Sequence, residues 1–386
     1  MRLRRRLAAV PVAACLAGLA ILGSRTDLTA RQAPAVSGLP SQLSGAEFWS
    51  LSTDFSEPNG SFQSDNLLSN ELVFSQVVPE LVSRAKPGGV YLGVGPEQNF
   101  TYIAAIRPRI AFIPDIRRGN LHMQLMYKAL FELSADRAEF VSRLFTKPRP
   151  AGLGTSVTVT ELMNAYWDVP TSSEQAYSAN LLEIQQHLTR ARSIPLSSED
   201  LDGIARVYRT FYWYGPAMTY AASTTLFVPA AGFRGTTYWD LMTQGDAGGK
   251  GLSYLGSEER FLFLKDLQSR NLVIPVVGNF AGPKALRAIG TYLKARGATV
   301  TAFYVSNVEG YLRRDGTWPA FCANVATMPL DAASLFIRPS AAMTLVRFVT
   351  DPSGNRVTTT SVIGPPETNL TRLPNIAPEV QGCTGG

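Results

Sequence analysis

The chain has 386 residues, of which 45% are hydrophobic and 17% charged, with a formal net charge of +6. That balance is ordinary for a folded globular protein and excludes a disordered, collagen-like or disulfide-dense chain. The excess charge sits at one end: residues 1–30 hold five arginines and one aspartate, leaving the remainder at about +2, too little to predict nucleic-acid binding.

In chain order, Arg2, Arg4, Arg5 and Arg6 precede a nearly unbroken apolar run from Leu7 to Gly23, with small residues around Leu28–Ala30 and Ala33–Ala35. A basic start, an apolar stretch and a small-residue exit form an export signal over 1–30. The rest is then expected outside: periplasmic, extracellular, or anchored facing outwards. The other reading is an uncleaved anchor, since the run is at the short edge for a membrane span. Membrane contact is expected only through that segment. Residues 31–44 read as a linker.

Residues 45–150 read as N-terminal helices followed by the first half of a nucleotide-type sheet. A polar interruption lies at Ser56–Ser61, and a helix is expected over Ser69–Arg84. A strand at Val90–Val94 runs into Gly93-Val94-Gly95-Pro96-Glu97-Gln98-Asn99, a helix follows to Arg107, and a strand from Ile110 to Ile113 leads to Asp115. Glycines at such a turn allow a sharp reversal and bring backbone N–H groups close to a ligand. Asp115 follows Gly93 by 22 residues, where such folds place a carboxylate on ribose hydroxyls. A glycine turn that binds nothing is the alternative. Apolar residues at helical spacing predict further helices over Asn120–Leu133 and Ala135–Phe145.

Residues 151–270 lack the βαβ rhythm. They predict helices over Ser173–Arg192 and Ser198–Tyr212 and read as a mainly helical insertion over the sheet edge, with Phe211-Tyr212-Trp213-Tyr214 as core or ligand cage. The rhythm returns over 271–363: strands at Leu272–Val277, Thr299–Val305 and Ser334–Ile337, a helix Pro283–Arg296, then a hairpin of Met343–Val349 with Val357–Val362. Residues 364–386 form a tail. The expected class is α/β: a doubly wound, mostly parallel sheet with a C-terminal antiparallel hairpin.

Four groups have two readings each. Ser64–Glu71 is either a helix-capping box or a lid offering Asp65, Asn66, Asn70 and Glu71 to the strand ends. Arg117 and Arg118 either bind a ligand carboxylate or phosphate bidentately or form a salt-bridged turn, and His122 is a base or structural. Cys322 and Cys383 either pair in an oxidising compartment or remain free thiols. With only two histidines in the chain, no metal site is expected. A serine-hydrolase elbow is absent from the sequence.

The layout of residues 85–145 and 270–363 resembles the class I S-adenosylmethionine-dependent methyltransferase fold, whose sheet ends in such a hairpin. The resemblance implies that Gly93, Gly95 and Asn99 cradle the methionine part of the cofactor and that Asp115 takes its ribose. It also implies that Asn279 meets the adenine side and that Ser306, Asn307 and Glu309 border the transferable group. Ser306-Asn307-Val308-Glu309 is similar to the Ser-Asn-x-x-Glu run of aminocarboxypropyl transferases. Two positions depart from the family: Tyr91 stands where an acid is usual, and Glu97 replaces the third glycine, making the turn bulkier and more negative.

Three functions compete. The resemblance implies an exported S-adenosylmethionine-dependent transferase acting on a small molecule. The same pocket without chemistry gives a small-molecule-binding protein, and the insertion as working surface gives an interaction protein. Export favours the last two, because S-adenosylmethionine is a cytoplasmic cofactor. The oligomeric state is not set by the sequence.

Overall fold

The computed structural model describes residues 38–220, 236–246, 249–338, 343–350, 356–363 and 371–384. The export signal expected over 1–30 and the first half of the expected linker, 31–37, lie outside the described residues, as do 364–370 and 385–386 of the tail. Among the described residues no helix is long and apolar enough to cross a membrane.

Five short apolar runs become strands: β1 Val90–Gly93, β2 Ile110–Asp115, β3 Val273–Val277, β4 Val300–Tyr304 and β5 Leu335–Ile337. Every residue in them is buried, so both faces of the sheet are covered, as continuous apolar strands require. All pairings are parallel, and the order is β3-β2-β1-β4-β5. The helices Arg118–Leu133 and Ala285–Lys294 both contact β2. This is an α/β architecture compatible with a Rossmann-like fold.

The expected antiparallel edge is not part of this sheet. Met343–Thr350 (β6) and Arg356–Ile363 (β7) pair with each other as a separate two-stranded ribbon.

The opposite edge, β3, is covered by the N-terminal segment. Pro275 cannot donate to a ladder, and its carbonyl accepts a hydrogen bond from Ser52 Oγ at 2.6 Å. The Glu57 amide donates to the Val277 carbonyl, and the Val277 amide donates to Ser56 Oγ, both at 2.8 Å. The edge is thus blocked against further pairing.

The helix expected over Ser69–Arg84 forms only in its second half, as a 3-10 turn Phe74–Val77 and a helix Val78–Arg84. Residues 69–71 are held elsewhere: the Ser69 amide donates to Glu97 Oε1 at 3.2 Å, and Glu71 Oε1 accepts from Ser306 Oγ at 2.7 Å. These long-range bonds override local helix propensity.

The connection between β2 and β3, residues 116–272, carries the crossover helix Arg118–Leu133 and the insertion expected over 151–270. It shares the core of the sheet, because Arg118–Leu133 packs on β3 and on the helix Ser198–Tyr214. Its aromatic residues Tyr127, Phe131, Phe140, Phe211 and Tyr254 are buried against one another. Of the aromatic run, Phe211 and Tyr212 are core, whereas Trp213 and Tyr214 are exposed.

Candidate functional site

The chain leaves β1 towards β2 and leaves β4 towards β5, so the loops beyond these central neighbours part and open a crevice. A cleft of about 600 Å³ lies there, within the range of small-molecule sites. Its walls come from the ends of four strands: Val94 to Pro96 and Gln98 after β1, Asp115 to Arg117 at β2, Gly278 to Phe280 after β3, and Ser306 to Val308 after β4. The loop with Phe62, Asn66 and Asn70 faces them, and Tyr311 and Arg314 stand at the far side.

Five of the residues expected around the cofactor meet here: Gly95, Asp115, Asn279, Ser306 and Asn307. Gly95 has φ +83°, a conformation that favours glycine. Asn307 is exposed and precedes the helix Val308–Arg314.

Three others do not line the cleft. Asn99 is fully buried, and its amide nitrogen donates to the carbonyls of Val94 at 2.9 Å, Gly95 at 3.2 Å and Pro96 at 2.8 Å. Its oxygen accepts from the Tyr91 hydroxyl at 2.8 Å. Asn99 therefore shapes the glycine turn from behind and has no group left for a ligand. Gly93 packs on that same pair: a Cβ there would lie 2.0 Å from Asn99 Oδ1. Glu309 turns away to an ion pair with Arg338, 2.8 Å long.

Asp115 is buried and gripped by its neighbour. Arg117 donates from Nε to Oδ1 at 3.1 Å, from Nη2 to Oδ2 at 3.0 Å, and from its amide to Oδ1 at 2.9 Å. The remaining guanidinium nitrogen donates to the carbonyls of Ser64 and Asp65. Arg117 thus ties β2 to the 61–70 loop and is not a free anion receptor. Arg118 is likewise engaged, bidentate on Asp200 at 2.8 and 3.0 Å, and His122 Nε2 meets that same carboxylate at 2.9 Å. Burial holds His122 below its ordinary value.

The polar block Ser64–Glu71 starts no helix, so it is not a capping box; Asn66 and Asn70 face the cleft. Asp65 is exposed and outside the wall, contributing its carbonyl to Arg117. Glu71 stands just behind Ser306, a non-glycine residue at φ +49°. Burial pushes the Glu71 carboxyl up to about 7, against the pull of the neighbouring Ser306 and Tyr304 hydroxyls.

Glu97 corrects a second expectation. It is fully buried, and burial pushes its carboxyl up to about 8. At neutral pH it is mostly an uncharged acid, so the turn is bulkier but not more negative.

Gln98, Tyr304 and Glu57 were given no role from sequence. Gln98 lines the cleft and donates to the Tyr304 hydroxyl at 3.0 Å. Glu57 reaches the glycine turn after β3, where its carboxylate accepts from the amides of Asn279 at 3.1 Å, Lys284 at 2.8 Å and Ala285 at 2.9 Å. It occupies a helix N-terminus that would suit an anion. The polar residues around Glu57 were the only signal, and they read as a break between helices.

Cys322 and Cys383 are joined by a disulfide that fastens the C-terminal helix Ile376–Thr384 to the helix Trp318–Val325. No group of metal-ligating side chains is found among the described residues.

Residues 67–228 and 234–358 match the family described as Domain of unknown function (DUF7790). The chain belongs to this family. The match takes in all five strands and nearly all of the insertion, so the insertion is part of the family's common unit. It begins at Leu67 and therefore includes Asn70 and Glu71 but not Glu57 or Phe62. No curated protein matches the chain in sequence.

Proposed function

We propose that the cleft binds S-adenosylmethionine or a close relative and that the protein is an exported transferase acting on a small molecule. The observation that carries this reading is the convergence of Gly95, Asp115, Asn279, Ser306 and Asn307 on one cleft at the point where the strand order reverses. The fit is partial. Gly95 offers an open backbone, with nothing nearer to an added Cβ than Gln98 at 3.5 Å. Asp115, however, already accepts three hydrogen bonds from Arg117, leaving one lone pair for a hydroxyl. When bound, the cofactor would supply the electrophilic carbon; the chain's own residues would bind and orient.

The test is isothermal titration of the protein with S-adenosylmethionine and S-adenosylhomocysteine, alongside Asp115→Asn and Asn279→Ala. Micromolar binding, weakened about tenfold or more by either substitution (~1.4 kcal/mol), is expected. An absence of heat with both ligands at about millimolar concentration removes the cofactor reading.

A second reading, a non-catalytic small-molecule-binding protein, is favoured by the Asp115–Arg117 lock together with Tyr91 in place of an acid. Under it the cleft holds a ligand but not this cofactor.

A further inference from the structure

We propose that the inner wall of the cleft is a subsite for the protonated amine of a ligand, accepted by Gln98 Oε1 with the Glu71 carboxylate standing just behind the wall at Ser306. This rests on the cleft being the ligand site, but not on the cofactor reading.

Among the described residues, this wall holds buried acceptors that have no donor. Gln98 is 2% exposed, lines the cleft, and directs its amide nitrogen to Tyr304. Its oxygen is buried and accepts nothing, as is Asn66 Oδ1 on the facing loop. Glu71 uses Oε1 on Ser306 and stands beside the Tyr304 hydroxyl, while its buried Oε2 has no hydrogen-bond partner among the described residues. Buried acceptors without donors cost free energy until something supplies the protons.

Among the described residues, the cations on the wall are both engaged. Arg117 is engaged by Asp115 and two carbonyls, and Arg314 at the far side pairs with Asp315 at 2.8 Å. The groups facing Glu71 are Ser306 and Tyr304 at the end of β4, Tyr91 of β1 and Tyr102 of the helix Gln98–Ile106. All are hydroxyls, and burial holds the three phenols neutral. An ammonium group arriving there brings both the missing N–H donors and the missing positive charge. A neutral alcohol brings only a donor, so charge separates the two ligand classes.

The arrangement has a proton signature. Glu71 titrates at about 7 when the cleft is without a cation, and a neighbouring ammonium favours its charged form. Amine binding therefore releases roughly half a proton at pH 7.

The experiment is isothermal titration of the full chain with putrescine and ethanolamine, with 1,4-butanediol and ethylene glycol as uncharged counterparts. Phosphate and HEPES buffers, which differ in ionisation heat, count the protons. The expected result is that the amines bind and the diols do not. The apparent heat should differ between buffers by the released proton. Glu71→Gln should abolish that difference and weaken binding about tenfold. Gln98→Met and Asn66→Ala give independent readings should Glu71→Gln fold poorly, and each should weaken amine binding. Amines binding no better than diols up to about 10 mM, or binding unaffected by all three substitutions, overturns the proposal. Binding of S-adenosylmethionine is measured separately, so either inference can fail while the other stands.

Discussion

Arg117 grips Asp115 through two parallel N–H···O contacts of 3.1 and 3.0 Å, although the two residues are only two positions apart and both are buried. The pair closes the end of β2 and, through the carbonyls of Ser64 and Asp65, anchors the loop that forms one wall of the cleft. Removing one partner leaves a buried charge uncompensated. Arg117→Ala is expected to lower stability by about 3–5 kcal/mol. The double change Asp115→Asn with Arg117→Gln should cost less than Arg117→Ala alone, because no charge is left unpaired. Urea unfolding of the two variants decides the order, and equal losses would mean that the pair acts only through its bulk.

Glu97 gives a pH dependence with a definite sign. Its folded-state value of about 8 lies above the ordinary 4.5, so the folded chain binds more protons than the unfolded chain between those limits. Stability from this group is complete below that window and falls as pH rises through it, by on the order of 3–5 kcal/mol. Glu71 acts in the same direction and His122 in the opposite one. Both remain in Glu97→Gln, so the difference between variant and parent isolates Glu97. The substitution should flatten the decline between about pH 5 and about pH 8, read by urea midpoints; parallel curves would contradict the burial argument.

Asn99 holds three consecutive carbonyls with one amide group. Asn99→Ala orphans the Val94 carbonyl and the Tyr91 hydroxyl in a buried setting and leaves Gly95 and Pro96 only their bonds from Gln124 Nε2 and the residue-99 amide, at an expected cost of about 2–4 kcal/mol. Since Asn99 does not line the cleft, ligand affinity measured well below the melting temperature should change less than it does for Asn279→Ala. A larger affinity loss in Asn99→Ala would place the glycine turn itself in control of binding.

The Cys322–Cys383 bridge spans 61 positions. By chain-entropy reasoning its removal as Cys322→Ser with Cys383→Ser costs about 2–4 kcal/mol. The bridged helix Trp318–Val325 contacts the helix Val308–Arg314, which carries the cleft residues Tyr311 and Arg314. Reduction by dithiothreitol should therefore raise amide exchange over 308–325 as well as at the C-terminus. Exchange confined to 376–384 would show that the bridge steadies the tail alone.

The parallel sheet was readable from sequence because its strands are buried on both faces and so appear as unbroken apolar runs: Ile110–Ile113, Leu272–Val277 and Thr299–Val305 fall within a residue or two of the observed strands. Part of the site was readable for a related reason, since glycine turns and polar residues that end such strands converge wherever the sheet reverses order. What sequence could not supply was which polar group another residue would already engage. Asn99, Glu309 and Arg117 are chemically suited to ligands, but Tyr91, Arg338 and Asp115 reach them first. The helix expected at Ser69 failed likewise, its first turn drawn out by Glu97 and Ser306 from distant parts of the chain.

The insertion also fixes an order of events during folding. β1 and β2 are joined by one short helix and can pair early, but β3 reaches β2 only across residues 116–272. The loop-closure penalty for so long a connection grows only logarithmically, by about 0.6 kcal/mol per doubling, so equilibrium stability bears it easily. The rate does not, because distant pairings form late. Until β3 docks, the β2 edge that ends in Asp115 is unpaired and the anchoring points for Ser52, Ser56 and Glu57 do not exist, leaving an open strand edge exposed to other chains. The open β2 edge makes the nascent protein aggregation-prone between completion of β2 and arrival of β3, and the cleft, which also needs the end of β4, forms only after that.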